Sequence, residues 1–188
     1  MSAPGASEES EIKIPVADLS PIRRRLEAAG AERVSEKHDE TNVLFDDAEG
    51  RLAASGRALR LRRARGRGIV TFKGAPTFEG AVKRREEIEV DVSDADAARR
   101  LIERLGFAPK FRYDKRREEF RFGGCVVALD ETPIGQYVEI EGPPDALAPA
   151  ASGLGLDARE AVPHSYAGLY RRAREADPSL PADMVFPA

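Results

Sequence analysis

Glu9-Ser-Glu11-Ile12-Lys13-Ile14 is the stretch that decides the fold of this chain, because charged and apolar side chains alternate along most of it. Successive side chains of a β-strand point to opposite faces of a sheet. The stretch therefore predicts a strand with one charged face, formed by Glu9, Glu11 and Lys13, and one apolar face, formed by Ile12 and Ile14.

At least four later segments repeat this alternation, with mostly apolar residues between their charged positions. Those positions are Arg60 and Arg62; Arg85, Glu87 and Glu89; Lys115 and Arg117; and Glu139 and Glu141. Turn signals such as Gly123-Gly124 separate neighbouring segments. Short turns favour antiparallel pairing, and about eight antiparallel strands can close into a barrel. The sequence therefore predicts a mainly β (α+β) fold.

An internal repeat divides the predicted fold into two related halves. Residues 11–16 align without gaps on residues 87–92, and the alignment continues through two helices predicted at about 19–29 and 95–105. Asp18 is the predicted N-cap of the first helix. A strand–helix–strand unit therefore occurs twice, and we expect Leu26 and Ile102 of these helices to cover the apolar outer faces of the strands.

Length and composition favour a single domain with a substantial core, since the chain has 188 residues of which 41% are hydrophobic. We expect residues 1–7 to be disordered, residues 8–176 to form the domain with a third helix near Ser165, and residues 177–188 to form an irregular, proline-rich tail.

Charge and cysteine content exclude several kinds of partner. The net charge is −3 and only 6% of the residues are aromatic, so we expect no nucleic-acid partner. Cys125 is the only cysteine, which excludes an internal disulfide. The sequence shows neither a signal-peptide pattern nor an apolar run of transmembrane length, so we expect a cytoplasmic protein without a membrane partner.

The charged strand faces admit two interpretations, because alternation is also normal for antiparallel sheets that have one face in water. Three features favour an enclosed face. The charges are in phase on nearly every predicted strand, cationic and anionic strands are sorted, and serine, threonine and glutamine are scarce at these positions. Enclosing both signs is costly unless they pair or bind a charged ligand. We therefore predict that the charges line a tunnel.

The two kinds of charge indicate the ligand. Carboxylate pairs suit magnesium or manganese. Arginines hold phosphate oxygens bidentately, and lysines act as point charges. A chain of phosphates with a divalent metal ion would satisfy both groups. The residues therefore predict a small-molecule polyphosphate, with a triphosphate as the favoured compound.

Over roughly residues 8–172 the ordered motifs resemble the CYTH superfamily, also called the triphosphate tunnel metalloenzymes. The motifs are Glu9-Ser-Glu11-Ile-Lys13, Ala58-Leu-Arg60-Leu-Arg62, Thr71-Phe-Lys73-Gly74, Arg85-Glu-Glu87-Ile-Glu89, Lys115-Arg-Arg117, Leu129-Asp130, Val138-Glu139-Ile-Glu141 and His164-Ser165-Tyr166. The resemblance implies an eight-stranded antiparallel β-barrel tunnel with helices packed outside. Some members of the superfamily are dimers, so a monomer or a homodimer is expected.

The resemblance also implies roles for individual residues. Binding of Mg²⁺ or Mn²⁺ is implied for Glu9, Glu11, Asp130, Glu139 and Glu141. Substrate binding is implied for Lys13, Arg60, Arg62, Lys73, Arg85, Lys115 and Arg117. The catalytic set is Glu9, Glu11, Lys13, Glu87 and Glu89. In it Glu87 and Glu89 would orient the cations or help to hold a second metal ion, and the alternative is structural ion pairs across the tunnel.

Three functions are compatible with such a site. A metal-dependent triphosphatase would hydrolyse inorganic triphosphate, thiamine triphosphate or a nucleoside triphosphate, and this is the favoured hypothesis. A class IV adenylate cyclase would use the same tunnel to convert ATP to cyclic AMP and pyrophosphate. A non-catalytic polyphosphate-binding module is disfavoured, because binding a polyanion alone would not require four carboxylates.

Overall fold

The alternating strands close into an antiparallel barrel in the computed structural model, which describes residues 7–187. The nine strands are β1 (Ser7–Val16), β2 (Glu32–Asp46), β3 (Ala58–Ala64), β4 (Arg67–Lys73), β5 (Thr77–Glu79), β6 (Val82–Val92), β7 (Ala108–Phe122), β8 (Cys125–Thr132) and β9 (Gly135–Glu141). Eight of them pair in the order β1-β9-β8-β7-β2-β3-β4-β6, and β6 pairs with β1 to close the ring. β5 is an extra strand on β6. The predicted eight-stranded barrel is confirmed.

Helices lie outside this barrel. They are α1 (Ser20–Ala28), α2 (Arg51–Ala54), α3 (Ala95–Arg104), α4 (Pro144–Gly153) and α5 (Tyr166–Ala176), with a 3₁₀ helix at Ala158–Glu160. The predictions of α1, α3 and α5 are confirmed, whereas α2 and α4 were not predicted. α2 has four residues, too few for a periodic pattern, and α4 contains Pro149, which normally signals a break in a helix.

The predicted N-cap of α1 is wrong by one position. Leu19 occupies the N-cap position and makes no side-chain cap. Asp18 instead accepts a hydrogen bond from the backbone N–H of Ser20 at 2.9 Å. Leu19 has no side-chain acceptor, so the helix start is bonded instead by Asp18 one residue earlier, which reaches the N–H of Ser20, the first residue of α1.

The internal repeat is confirmed by the strand register. Where β1 pairs with β9, Glu11 lies opposite Glu141, and where β6 pairs with β4, Glu87 lies opposite Lys73. β1 and β6 also pair with each other antiparallel, and so do β2 and β7. The unit β1–α1–β2 therefore corresponds to β6–α3–β7 about a pseudo-two-fold axis.

The apolar outer faces of several strands pack against helices as predicted, whereas Ile88 and Val90 of β6 stay exposed. Leu26 of α1 lies in one buried cluster with Ile12 and Ile14. Ile102 of α3 lies in a second cluster with Phe45 and Leu61. None of the helices within residues 7–187 is long and apolar enough to cross a membrane.

The segment after α5 has little regular structure but is packed on the barrel. Met184 is fully buried and its backbone bonds to β7, since its N–H donates to Arg112 O at 3.0 Å and its O accepts from Asp114 N–H at 2.8 Å. β8 begins to pair with β7 only at Arg116, which leaves this part of the β7 edge available. At the other end, the predicted disordered segment 1–7 lies outside the described residues except for Ser7, at which β1 begins.

A single carboxylate holds the short helix α2 in place. Asp46 Oδ1 accepts from the backbone N–H groups of Asp47 at 2.8 Å and Leu52 at 3.0 Å, and Oδ2 accepts from that of Ala53 at 2.9 Å. Burial acts to raise the pKa of Asp46, but the three N–H donors outweigh it and the pKa is lowered. Ala53 of α2 lines a cavity inside the barrel.

We expect Asp46→Ala to lower the free energy of unfolding by about 1–3 kcal/mol, because backbone N–H groups at the start of α2 lose their acceptor. A lowered pKa stabilises the fold above the unfolded carboxyl pKa of about 3.9, and this stabilisation is lost as the pH falls through the folded pKa. Denaturant unfolding at neutral and acidic pH tests both points. The exposed Asp91→Ala serves as the control, and an equal loss in both variants would contradict the prediction.

Candidate active site

The charged strand faces meet inside the barrel, where they line a cavity of about 490 Å³. Predicted site residues in its wall are Glu9, Glu11, Lys13, Arg60, Arg62, Lys73, Arg85, Glu87, Glu89, Lys115, Arg117, Glu139 and Glu141. Asp130, the one remaining predicted site residue, lies behind this wall and is fully buried. The fold thus brings the predicted residues together, while their individual roles stay predictions.

Two of the predicted metal ligands are neutralised by lysines. Lys83 Nζ donates to Glu11 Oε1 at 2.6 Å, and Lys13 Nζ lies 3.0 Å from Glu139 Oε1. For Glu11, burial and the charge of Glu139 act to raise the pKa, but the ammonium groups of Lys83, Lys13 and Lys73 outweigh them and lower it to about 2. Both carboxylates are therefore ionised at neutral pH, since the pKa of Glu139 is also well below its usual range.

Glu9 and Glu141 differ, because neither forms an ion pair within residues 7–187. Burial, and then the charges of Glu141 and Glu87, raise the pKa of Glu9 to about 8. Burial, and then the charges of Glu11 and Glu139, raise the pKa of Glu141 to about 7. Two half-buried carboxyl groups that lie beside other carboxylates and form no ion pair within residues 7–187 are suited to bind a cation.

The donor set fits a divalent metal ion bound through oxygen. Carboxylates are the ligands that Mg²⁺ and Mn²⁺ prefer. In the described part of the chain, no three His, Cys, Asp or Glu side chains are already grouped to hold a metal ion. Glu9 and Glu141 could contact a metal ion without breaking an ion pair, whereas Glu11 and Glu139 would have to give up their lysines.

Asp130 orients cations from behind the cavity wall. Its Oδ1 accepts from Arg117 Nε at 2.7 Å, and its Oδ2 accepts from Lys115 Nζ at 3.1 Å and from the hydroxyl of Tyr166 at 2.6 Å. Arg117 also contacts Glu139. Both oxygens of Asp130 are thus occupied by protein donors, and the predicted contact with a metal ion would require those donors to move.

Arg60 and Arg62 present unused donors inside the barrel. The Nη2 atoms of both lie 3.2–3.4 Å from Glu89, and Arg60 also donates to Thr71 Oγ1 at 3.1 Å. The Nε atoms of both arginines are buried and have no hydrogen-bond partner among the described residues. A buried donor without a partner costs free energy, and phosphate oxygens are strong acceptors for guanidinium groups.

Glu87 and Glu89 form ion pairs, as the structural alternative predicts. Glu87 accepts from Lys73 at 2.5 Å and from Arg85 at 2.8 Å, and Glu89 contacts Arg60 and Arg62 of β3. Burial, and then the charges of Arg60 and Arg85, lower the pKa of Lys73 to about 7. These contacts agree with the structural alternative, and the roles in orienting cations or in holding a second metal ion stay predictions.

Several tunnel residues were missed by the sequence analysis. Lys83 precedes Arg85 by two positions, so the alternation of β6 could have identified it. Glu40 is buried and lies 3.5 Å from Arg62 and 3.6 Å from Lys115. The register between β2 and β7 shifts at several positions, so simple alternation along β2 does not show which face of the strand carries Glu40. The cavity wall also includes Tyr113, Tyr166 and Arg171, none of which was predicted as a site residue.

A second cavity of about 460 Å³ adjoins the first near α2 and α5. Ala53 and Arg171 line both cavities. The wall of the second contains Phe111 and Tyr170, whose ring centroids are 5.7 Å apart, and the basic side chain of Lys110. An aromatic wall beside the charged cavity offers a place for an organic group attached to a polyphosphate.

Comparison with known proteins is consistent with this geometry. The CYTH domain family matches residues 7–147 of the chain. A protein of Methanocaldococcus jannaschii named "Putative adenylate cyclase" is 29% identical over 134 residues, which are 71% of this chain and 75% of that protein. The "Adenylate cyclase CyaB" of Aeromonas hydrophila is 29% identical over 133 residues, which are 70% of this chain and 67% of that protein.

A solved structure shares the fold. It is that of a Hippeastrum protein described as a "Putative adenylyl cyclase" that shows a dominant triphosphatase activity. It superposes with a TM-score of 0.66 and 21% sequence identity, and the match covers 94% of this chain and 99% of that protein. At this identity the likeness concerns the fold alone.

We expect Asp130→Ala to lower the free energy of unfolding by about 3–5 kcal/mol, because Lys115 and Arg117 remain buried and lose the fully buried carboxylate that bonds to both, keeping only Glu139 as a shared counter-charge. Asp114→Ala is the control, since it removes an exposed ion pair with Arg112 on β7 and should cost about 0–1 kcal/mol. Denaturant unfolding of both variants measures the difference. Equal small losses would show that Asp130 does not hold these cations.

Proposed function

The chain belongs to the CYTH domain family, and from this premise we propose that it is a divalent-metal-dependent phosphohydrolase that acts on a triphosphate inside the barrel. One observation carries the proposal. Among the described residues, the same cavity contains buried arginine Nε atoms without acceptors and the half-buried carboxyl groups of Glu9 and Glu141, which form no ion pair. A polyphosphate with its metal ion supplies both missing partners.

The phosphate chain would lie against the cations of the cavity wall. Arg60 and Arg62 offer their free Nε donors, and Lys73 would regain a full positive charge beside a polyanion because the lowered pKa would rise again. The remaining cations of the proposed substrate site are Lys13, Arg85, Lys115 and Arg117.

Glu9 and Glu141 would hold the metal ion, with Glu11 and Glu139 beside them. When bound, Mg²⁺ or Mn²⁺ polarises phosphate oxygens and promotes attack by water. The side chains of the protein contribute orientation. Lys115 and Arg117 are fixed by Asp130, so their charges face the phosphates without reorganisation and stabilise the negative charge that develops as the terminal phosphate is transferred to water.

Adenylate cyclase activity is the second candidate, and two observations favour it. The curated relatives are named as adenylate cyclases, and the second cavity has room and an aromatic wall for a nucleoside. In this reaction the 3′-hydroxyl of ATP attacks the α-phosphorus and pyrophosphate leaves. The same cations would serve, with the phosphates shifted along the tunnel.

The remaining predictions accompany this proposal. The substrate would be a small molecule, with neither nucleic acid nor a membrane as partner. The proposed location is the cytoplasm.

A product assay distinguishes the candidates. Purified protein would be incubated with inorganic triphosphate, thiamine triphosphate or ATP in the presence of Mg²⁺ or Mn²⁺, and the products separated by chromatography. We expect metal-dependent release of orthophosphate, and the best substrate would identify the activity. Formation of cyclic AMP and pyrophosphate from ATP would contradict the hydrolase proposal and identify a cyclase instead.

We expect Glu9→Gln to lower the rate about 100-fold or more and to weaken Mn²⁺ binding in calorimetry, because the site loses a charged oxygen ligand. Glu8→Gln is the matched control, since Glu8 is the adjacent residue of β1 and is exposed on the outside. Full activity and unchanged Mn²⁺ binding in Glu9→Gln would refute the proposed metal site.

Phe111→Ala tests whether the second cavity accepts an organic group. Stacking on an aromatic side chain contributes about 1–3 kcal/mol per base, so we expect the KM for ATP to rise at least about fivefold. The KM for inorganic triphosphate, which has no organic group, serves as the internal control and should stay the same. A parallel rise for both substrates would mean that the substitution acts through the fold.

A further inference from the structure

The two halves of the barrel differ in what covers their outer faces. On β1, Ile12 and Ile14 are 2% and 0% exposed. Their repeat counterparts on β6, Ile88 and Val90, are 40% and 52% exposed, although the register with the neighbouring strand is the same in both halves. Equivalent apolar positions are thus buried in one half and open in the other.

Helix α4 accounts for this difference. α4 follows β9, and its Leu147, Ala150 and Leu154 share a buried cluster with Ile12 and Ile14. β4 is the counterpart of β9, but it is followed by the three-residue strand β5, which pairs with β6 in the sheet. Within residues 7–187, therefore, the outer side of β6 has no equivalent of α4.

In the second half of the repeat, leucines occupy the positions that correspond to the side of α1 that contacts α4. Arg25 of α1 donates a hydrogen bond to the carbonyl oxygen of Leu154 at the end of α4. In the repeat, the counterpart of Arg25 is Leu101, which is 62% exposed, and Leu105 on the next turn is 68% exposed. α3 thus carries apolar side chains towards the position that α4 would occupy.

We propose that a second copy of this chain covers this β6–α3 face, which is formed by Ile88, Val90, Leu101 and Leu105. In the proposed dimer, α3 of each copy packs over β6 of the other, in the position that α4 occupies over β1. Two-fold dimers are the commonest oligomers, and their interfaces must be self-complementary. The proposal concerns the outside of the barrel and does not depend on the reaction inside it.

The charges around the face have the complementarity that a two-fold axis requires. Glu86 is exposed on the β6 side, and Arg100 and Arg104 are exposed on the α3 side. None of the three forms an ion pair inside the described part of the chain. A two-fold axis brings the β6 side of one copy against the α3 side of the other, so Glu86 meets the arginines and apolar surface meets apolar surface.

Sedimentation velocity over a range of concentrations up to about 100 µM tests the proposal. We expect the wild-type chain to form a dimer and the double variant Leu101→Asp/Leu105→Asp to remain monomeric with an unchanged circular dichroism spectrum. Ala29→Asp is the matched control, since Ala29 is the exposed repeat counterpart of Leu105, and it should dimerise like the wild type. Charge reversal adds an independent readout.

Glu86→Arg should weaken the dimer about tenfold, and combining it with Arg100→Glu and Arg104→Glu should restore the affinity. A wild-type chain that stays monomeric, or a dimer that tolerates both aspartates, would overturn the proposal. A monomeric wild type that dimerises once residues 1–6 are removed would assign the face to that segment instead. Failure of the charge reversal to restore affinity would exclude the two-fold arrangement.

Discussion

The pairing of acidic and basic side chains inside the barrel is the constraint on which the rest of the structure depends. Charges removed from water cost free energy unless they are paired, so the tunnel can exist only if its walls neutralise each other. Asp130 between Lys115 and Arg117 meets this requirement most completely. The need to keep charges paired inside the barrel also fixes the strand register. A shift by one residue would turn the charged side chains outward and the isoleucines into the tunnel.

Neutralisation is incomplete at two places, and these give the cavity its chemistry. Within the described part of the chain, Glu9 and Glu141 form no ion pair, and the Nε donors of Arg60 and Arg62 have no hydrogen-bond partner. A fold selected for stability alone would gain from pairing these groups or replacing them with apolar ones. Their presence in one cavity is the physical reason to expect a ligand that carries both signs, such as a metal-bound polyphosphate.

Alternation predicts the barrel because it is a local property of each strand, and the repeat predicts two related halves for the same reason. Features that depend on distant contacts escape it. Asp46 holds α2 through three backbone donors, Glu40 lies on a strand with irregular register, and Met184 bonds to an open strand edge. The role of Asp130 also depends on Tyr166 of α5, a contact that no spacing in the sequence indicates.

The two pseudo-symmetric halves of the barrel carry different charges at equivalent strand junctions. Equivalent positions carry Glu141 opposite Glu11 where β9 meets β1, but Lys73 opposite Glu87 where β4 meets β6. The first junction therefore concentrates carboxylates, and the second pairs its carboxylate with a cation. Since the backbone register is the same in both, the difference lies in the side chains alone. A linear ligand with a metal ion at one side and phosphate oxygens at the other matches this polarity, whereas a ligand of a single charge does not.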